Sequence, residues 1–247
     1  MSDSVHPALQ PSSPSALQLS SSWIVGLLQA GDSFYPTGSY AHSFGLEGLV
    51  QECVIRDRAT LREYLFRSVL PALRQAELPL AAHAWQAFGT DHWTQIGELC
   101  RLSAALKAPA ELRAASANIG RQRAELTALL HAHPLPREYL RRAAESDWPF
   151  AAAVSSALEG CVLGAPRVAV LAGVYYASTA SLISAAMKVL RLGQNASQTL
   201  LGEALGAAPG IIAAAEQVPF DEIGWFNPWL DIASARHETA NSRMFIS

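Results

Sequence analysis

Residues 60–73 read TLREYLFRSVLPAL, and this stretch contains the pattern that decides the fold class. Thr60 and Glu63 have the spacing of a capping box, which marks the start of an α-helix. Apolar side chains then recur at every fourth position, beginning with Leu61, as they do along one face of a helix. Pro71 cannot donate a backbone hydrogen bond, so we expect it to kink or end this helix.

Similar helical periods extend through most of the chain and stop or restart at Gly and Pro residues. The sequence has no alternation of period two, no Asn-Gly hairpin turn and no strand-helix-strand rhythm. It therefore predicts an all-α fold, a single-domain helical bundle of about ten helices. Beyond the first, helices are predicted at residues 78–88, 91–108, 110–131, 137–145, 150–163, 167–192 and 196–217.

The two ends of the chain differ in composition from its Ala- and Leu-rich middle. Residues 1–21 are rich in Ser and Pro and lack a basic start and an apolar run, so we expect a disordered tail and no secretion signal. Residues 22–218 are predicted to form the all-α domain, and residues 219–247 a C-terminal partner-binding tail. The aromatic side chains at 225–229 either anchor an interface or fold back on the bundle, and the sequence leaves both interpretations open.

Composition excludes several classes of function. The 247 residues carry a net charge of −3, and nucleic-acid binding depends on clustered Lys and Arg, so nucleic acid is not expected as a partner. The local excess of Arg and Lys within residues 101–142 has helical spacing and is typical of a solvated helix face. Cys53, Cys100 and Cys161 are far apart and odd in number, which predicts reduced thiols in a cytoplasmic protein, without a disulfide framework or a zinc site.

One stretch tests the expectation that the protein does not enter a membrane. Residues 168–189 contain a single charge, Lys188, and are long enough to span a bilayer. Their content of Ala, Ser, Gly, Thr and Tyr makes insertion only weakly favourable. We predict a central helix of a soluble bundle or one buried in a dimer, with a membrane-embedded helical protein as the alternative.

The residue patterns that usually carry catalysis are missing. The glycines form neither a GxxxxGK(S/T) phosphate loop nor a GxGxxG turn, and Ser43 does not stand in the GxSxG sequence of hydrolases. The HxH pair His131 and His133 is more typical of a solvated loop end than of a metal site. The His-Glu pair at residues 237–238 lacks the second histidine of an HExxH zinc motif. The sequence therefore predicts a binding or scaffolding protein that is not an enzyme and has no metal or cofactor.

Residues 32–48 read DSFYPTGSYAHSFGLEG and differ from the rest of the chain in their mixture of polar, aromatic and backbone-breaking residues. Pro36 fixes its backbone angle φ, while Gly38 and Gly45 permit angles closed to other residues. A shaped loop between two helices is a common location for binding or catalytic groups. The alternative is a connection in which Gly and Pro only end the flanking helices.

Four segments of the chain resemble the UreF family of urease accessory proteins. Residues 36–47 are similar to the N-terminal signature of that family, and residues 112–121 to its Arg-x-x-Ser-x-x-x-Gly-Arg helix. Residues 192–198 resemble its Leu-Gly-Gln-x-x-x-Gln segment, and residues 230–245 its C-terminal tail. These segments occur in the family's order, and the resemblance extends over residues 22 to 247.

The resemblance implies a non-enzymatic all-α co-chaperone needed for nickel insertion into apo-urease. Members of the family form complexes with the accessory protein UreD, also called UreH, and with the GTPase UreG, and they bridge the two. They also form homodimers. The alternative function is a GTPase-activating regulator that supplies a catalytic residue to UreG in trans.

The family motifs also imply which residues contact the partners. In the tail, Arg243 is the first candidate, because a guanidinium group suits carboxylates across an interface. For Glu47 the alternative is an acidic residue that stabilises the start of a helix. The full set of candidate partner-binding residues is Arg236, His237, Glu238, Ser242, Arg243 and Phe245 in the tail, with Tyr40, Ser43 and Glu47 in the loop.

Overall fold

The computed structural model describes residues 22–38 and 45–226 of the chain. These residues contain no β-strand and form one helical bundle, so the prediction of an all-α, single-domain fold is confirmed. In chain order the helices are α1 (Ser22–Gly31), α2 (Leu46–Gln51), α3 (Arg58–Tyr64), α4 (Leu70–Ala72), α5 (Leu78–Gly89), α6 (Trp93–Ala105), α7 (Ala110–Leu130), α8 (Pro134–Glu145), α9 (Ala152–Leu163), α10 (Arg167–Val189) and α11 (Gln194–Ala215).

Helix α9 lies at the centre of the bundle. It packs most extensively against α5 and α7, and it also contacts α1, α8 and α10. Its side chains are mostly small and apolar, and most of them are buried. A Cβ atom added at Gly160 would lie 2.2 Å from Cγ2 of Val170 in α10, so these helices approach more closely than larger side chains allow.

The helix continues past Pro71, and the chain stays helical from Arg58 to Gly89. Of the two outcomes predicted for Pro71, a kink or the end of the helix, the end is therefore wrong. Two π turns, Leu65–Val69 and Leu73–Glu77, join α3, α4 and α5. Each directly precedes a segment with a proline in its first turn. A proline ring clashes with the carbonyl four residues earlier, and the wider π turn relieves that clash without ending the helix.

The capping box of this long helix begins at Asp57, which corrects the predicted start at Thr60. The Asp57 carboxylate accepts a hydrogen bond from the backbone N–H of Thr60 at 2.8 Å, and Thr60 Oγ1 accepts one from the N–H of Asp57 at 3.1 Å. The hydrogen bond from the Thr60 N–H, and then that from the Thr60 hydroxyl to the same carboxylate, lower the pKa of the Asp57 carboxyl. Asp is preferred over Thr as an N-cap, which explains the shift.

Helix α8 begins at Pro134, three residues before the predicted start at residue 137. The Nδ1 atom of His133 accepts a hydrogen bond from the backbone N–H of Leu135 at 3.2 Å. Pro134 fits the first turn because its missing N–H would have no partner there. His133 therefore caps a helix, and the sequence had placed it at a loop end.

Helix α10 is long and apolar enough to span a membrane by length and composition. In the bundle one of its faces is buried, including Tyr175, Thr179 and Leu182. The Tyr175 hydroxyl donates a hydrogen bond at 2.6 Å to the backbone carbonyl of Ala204 in α11. These contacts favour the interpretation of α10 as the core helix of a bundle.

The first part of the predicted C-terminal tail packs on the bundle. A 3-10 turn at Phe220–Glu222 leads to Ile223, which is buried. The backbone N–H of Gly224 donates a hydrogen bond to the carbonyl of Gln75 at 3.0 Å. Residues 227–247, and with them most of the predicted tail, lie outside the described residues.

Candidate functional site

The loop that follows α1 is folded by local hydrogen bonds as far as Gly38. The Asp32 carboxylate accepts a hydrogen bond from the N–H of Phe34 at 2.7 Å, and the Asp32 backbone carbonyl accepts one from Tyr35 at 3.0 Å. Gly38 has a φ of 76°, in the left-handed region that favours glycine. The turn buries Tyr35, while the adjacent Phe34 is 93% exposed.

Tyr35 is held in the protein interior by Glu159 of α9 and Arg123 of α7. The Tyr35 hydroxyl donates to one oxygen of the Glu159 carboxylate, and Arg123 Nη1 donates to the other. Arg123 Nη2 also donates to the backbone carbonyl of Ala30 in α1, at 3.3 Å. The guanidinium carbon of Arg123 lies 5.3 Å from the centre of the Tyr35 ring, within range of a cation–π interaction. Tyr35, Arg123 and Glu159 are termed the Tyr35 anchor below.

The Tyr35 anchor buries two opposite charges. The side chains of Arg123 and Glu159 are 12% and 3% exposed, and a buried charge is costly unless it is paired and hydrogen-bonded. Burial raises the pKa of the Tyr35 hydroxyl far above its usual value, and the negative charge of Glu159 raises it further. The hydroxyl therefore stays protonated and acts as a hydrogen-bond donor. The arrangement fixes the start of the loop to α7 and α9 and provides no activated nucleophile.

Glu47 is the one predicted site residue that falls within the described part of the chain. It lies in the first turn of α2 and is 5% exposed. Gly45 precedes the helix with a φ of 84°, and Gln51 Nε2 lies 3.5 Å from Glu47 Oε1. A carboxylate in the first turn is stabilised by the helix dipole. This position supports the interpretation of Glu47 as a residue that stabilises α2, and its contact with a partner stays a prediction.

The other predicted site residues lie outside the described residues, so their arrangement is not given by the structure. These residues are Tyr40, Ser43, Arg236, His237, Glu238, Ser242, Arg243 and Phe245.

Helix α1 and the loop after it expose several large apolar side chains. Ile24, Val25 and Leu28 are 43%, 70% and 70% exposed, and Phe34 lies in the loop that follows. Gly26 faces the bundle, because a Cβ added there would lie 2.5 Å from a leucine side chain of α9. Ile24, Val25, Leu28 and Phe34 are termed the α1 surface. Leu28 follows Ile24 by four residues and Val25 by three, so these side chains share one face of α1, and exposed apolar faces of this kind mark protein-interaction sites.

A separate apolar cleft of about 280 Å³, termed the central cleft, lies between the π turns, α7, α9 and α10. Two of its charged lining residues pair with each other, since Lys107 Nζ donates to Glu77 Oε1 at 2.6 Å. The third, Arg123, belongs to the Tyr35 anchor. Trp225 also lines the cleft and is 38% exposed. Apolar lining residues include Val69, Leu73, Ile119, Ala153, Val174 and Leu182.

Sequence reasoning did not identify the Tyr35 anchor, although one signal was present. Glu159 is the one charged residue in α9, which reads AAVSSALEGCVL. A lone carboxylate in an apolar, buried helix requires a polar partner. The partners are 36 and 124 residues away along the chain, and helical spacing within α9 gives no information about them.

Within residues 22–38 and 45–226, no group of three or more His, Cys, Asp and Glu side chains could hold a metal ion. Cys53, Cys100 and Cys161 are free. Burial raises the pKa of the Cys100 thiol to about 11 and that of Cys161 to about 12. Both thiols are therefore protonated at neutral pH.

Comparison with known proteins agrees with the resemblance of the four segments. Residues 55–205 match the family model for UreF. This chain belongs to the UreF family. It is 31% identical over 225 residues to the urease accessory protein UreF of Azoarcus sp. (strain BH72), which covers 91% of this chain and 95% of that protein. It is 27% identical over 224 residues to the UreF of Bacillus sp. (strain TB-90), covering 91% and 99%. With the UreF of Methylibium petroleiphilum it shares 30% identity over 236 residues, covering 91% and 94%.

The UreF-like segment on α7 builds the contact between α7 and α9. Ser116 Oγ accepts a hydrogen bond from the backbone N–H of Ala152 at 3.4 Å. A Cβ added at Gly120 would lie 2.6 Å from the carbonyl carbon of Ala151. Arg113 Nη1 donates to the carbonyl of Lys107 at 2.8 Å, at the start of the same helix. Arg113, Ser116 and Gly120 of this segment therefore have structural roles, while Arg121 pairs with Glu125 on the surface.

Proposed function

We propose that this UreF-family chain is a non-catalytic, cytoplasmic co-chaperone of urease maturation. It docks UreD (UreH) and the GTPase UreG during nickel insertion into apo-urease, and it acts as a homodimer. Its relatives are urease accessory proteins by name, which supports a place in this process. The chain contributes binding surfaces, while the chemistry resides in its partners.

The observation that carries this proposal is the α1 surface beside the Tyr35 anchor. Phe34 is 93% exposed, and the residue after it, Tyr35, is buried. Arg123 donates hydrogen bonds to the backbone carbonyl of Ala30, near the end of α1, and to the carboxylate of Glu159. The anchor therefore holds the helix and the loop of the α1 surface against the same two core helices. A surface fixed before binding loses little conformational entropy when a partner docks.

The first test is copurification with UreD and UreG after coexpression. Exposed aromatic and large aliphatic anchors dominate interface energies, so Leu28→Ser combined with Phe34→Ser is expected to weaken capture of a partner or dimerisation at least tenfold. Val54→Ser combined with Leu129→Ser is the matched control, because these side chains are 57% and 79% exposed outside the α1 surface. The contrary result is an α1-surface variant that has an unchanged circular dichroism melt and still captures its partners and dimerises as well as wild type. That result would exclude the α1 surface from docking.

A second test separates docking from the alternative of GTPase activation. GTP turnover by UreG is measured in the presence of UreD with wild-type protein, with Arg243→Ala and with residues 236–247 deleted. The docking proposal predicts that these changes reduce complex formation and leave turnover per assembled complex unchanged. Intact assembly with turnover reduced by an order of magnitude or more would instead assign a catalytic arginine to this chain.

A further inference from the structure

The chain leaves the described part of the structure at the edge of the central cleft. Pro79 has no N–H to donate to the carbonyl of Gln75, four residues earlier. The N–H of Gly224 occupies that acceptor at 3.0 Å, and Gln75 Nε2 donates in return to the carbonyl of Glu222 at 3.0 Å. The proline in α5 thus creates the site at which the end of the chain is fixed to the bundle.

Two further contacts fix the described chain between α11 and Trp225 to the bundle. His83 Nε2 lies 3.0 Å from the carbonyl oxygen of Val218, and its ring stacks edge-on against Phe220 at 6.0 Å. Trp225 then lines the central cleft itself. Phe226, the last described residue, is 80% exposed. The described part of the chain therefore ends beside Trp225, next to the cleft.

The lining of the central cleft suits apolar side chains. The charges of its lining residues are paired within the protein, Lys107 with Glu77 and Arg123 with Glu159, and Arg123 Nε is the buried donor among them that makes no hydrogen bond. Small residues of α9 and α10, such as Ala153 and Ser178, leave room between the helices. An apolar cleft without an available charge favours burial of large hydrophobic groups.

The segment that follows Phe226 supplies such groups within a short distance. Trp229, Leu230 and Ile232 fall in its first six residues. The cleft follows α7 from Leu112 to Arg123, a length of about 16 Å at the rise of an α-helix. Five extended residues cover about 17 Å, so this short segment can run along the whole cleft. A segment joined directly to the edge of its site has an effective concentration of about millimolar, which favours it over a free ligand.

We propose that the central cleft is the docking site of the chain's own C-terminal segment, with the apolar side chains of residues 229–232 buried in it. While residues 229–232 are buried in the cleft, other proteins cannot bind them. Cleft binding and partner binding by this segment are then alternatives, and this last step rests on the proposed function. The docking itself concerns the isolated chain and requires no partner.

Disulfide trapping in the full-length chain tests the proposal. Ile232→Cys is combined with Ser178→Cys in the cleft, or with Tyr176→Cys on the exposed side of the same helix, in a Cys53→Ser background. The intramolecular disulfide to position 178 is expected to form at least about tenfold faster than that to position 176, because docking raises the local thiol concentration. Equal rates would overturn the proposal. Disulfides that join two chains, detected by mixing isotopically labelled and unlabelled protein, would also overturn it by assigning the cleft to a second copy.

Hydrogen exchange gives an independent measurement that does not depend on thiol geometry. In the full-length variant with Trp229→Ser and Leu230→Ser, the backbone amides of the second π turn are expected to exchange at least about threefold faster than in wild type. The reason is that this turn lines the cleft, and the docked segment covers it in wild type. Thr127 and its neighbours in α7 serve as an internal reference, because Thr127 does not line the cleft. Unchanged exchange in the π turn would contradict docking even if copurification with UreD and UreG is normal. Failure of the wild-type chain to copurify with UreD and UreG, with intact trapping, would instead contradict the proposed function alone.

Discussion

The Tyr35 hydroxyl donates a hydrogen bond to the carboxylate of Glu159, a residue 124 positions later in the chain. This bond joins the loop after α1 to the central helix of the bundle. Arg123 completes the contact from α7 and balances the negative charge of Glu159. The conformation of the UreF-like loop at its start is therefore set by two core helices as well as by its own Gly and Pro residues.

Replacing Tyr35 by Phe removes this hydrogen bond and keeps the aromatic ring. We expect the free energy of unfolding to fall by about 1 to 2 kcal/mol, because a buried charged group loses a donor. Urea denaturation followed by tryptophan fluorescence measures the change. Tyr176→Phe is the control, since Tyr176 is 43% exposed, and its effect is expected to stay within about 0.5 kcal/mol. Equal effects of the two substitutions would show that the bond contributes nothing.

Replacing Arg123 by Met leaves the Glu159 charge buried without a cation. The expected loss is about 3 to 5 kcal/mol of unfolding free energy. The double variant Arg123→Met with Glu159→Met has no unpaired charge and is expected to be more stable than Arg123→Met alone.

Arg121 provides a matched control for the buried pair on the same helix. Its pair with Glu125 is largely exposed, at 65% and 49%, so Arg121→Met is expected to cost less than about 1 kcal/mol. Chemical denaturation of all three variants gives the comparison. A loss at Arg123 no greater than that at Arg121 would mean that the buried pair is not a stabilising contact.

Gly120 in α7 lies against the backbone of Ala151, the residue before α9. A Cβ atom added by Gly120→Ala would lie 2.6 Å from the carbonyl carbon of Ala151, so this substitution forces α7 and α9 apart. We expect a loss of about 1 to 3 kcal/mol, the usual cost of overpacking. Gly202→Ala in α11 is the control, since an added Cβ there has no neighbour within 4 Å, and it is expected to stabilise by about 0.5 to 1 kcal/mol through helix propensity. A melting temperature that falls for Gly120→Ala and rises for Gly202→Ala would support this prediction. A melting temperature that rises for Gly120→Ala would contradict it.

Local patterns in the sequence predicted the all-α fold and most helix positions. Residues 110–131 were predicted as a helix, and α7 runs Ala110–Leu130. The errors arose where two local preferences compete. At Pro71 a π turn relieves the steric conflict and the helix continues, and at Asp57 a better cap moves the helix start. Periodicity alone does not predict either outcome.

The site was less predictable because it depends on distant residues. The unusual composition of residues 32–48 indicated a shaped loop, but not that Tyr35 is buried against Glu159. Glu159 stood out as a lone charge in an apolar helix, and its partner Arg123 was one of many arginines between residues 101 and 142. Only the packing of α7 on α9 distinguishes it from arginines such as Arg121, which pairs on the surface.

The lowered pKa of the Glu138 carboxyl predicts a specific dependence of stability on pH. Hydrogen bonds from Arg141 and then Arg142 lower the pKa of its carboxyl from 4.5 to about 2. A pKa that is lower in the folded state than in the unfolded state gives stabilisation that is complete above pH 4.5 and is lost as the pH falls towards 2. The melting temperature of Glu138→Gln is therefore expected to lie below that of wild type at pH 7, and the difference is expected to shrink between pH 4.5 and 2. Because the side chain is partly exposed to solvent, 1 M salt is expected to reduce the difference. Melting curves at closely spaced pH values measure this, and a difference that is constant from pH 7 to 2 would contradict the role of the Glu138 charge.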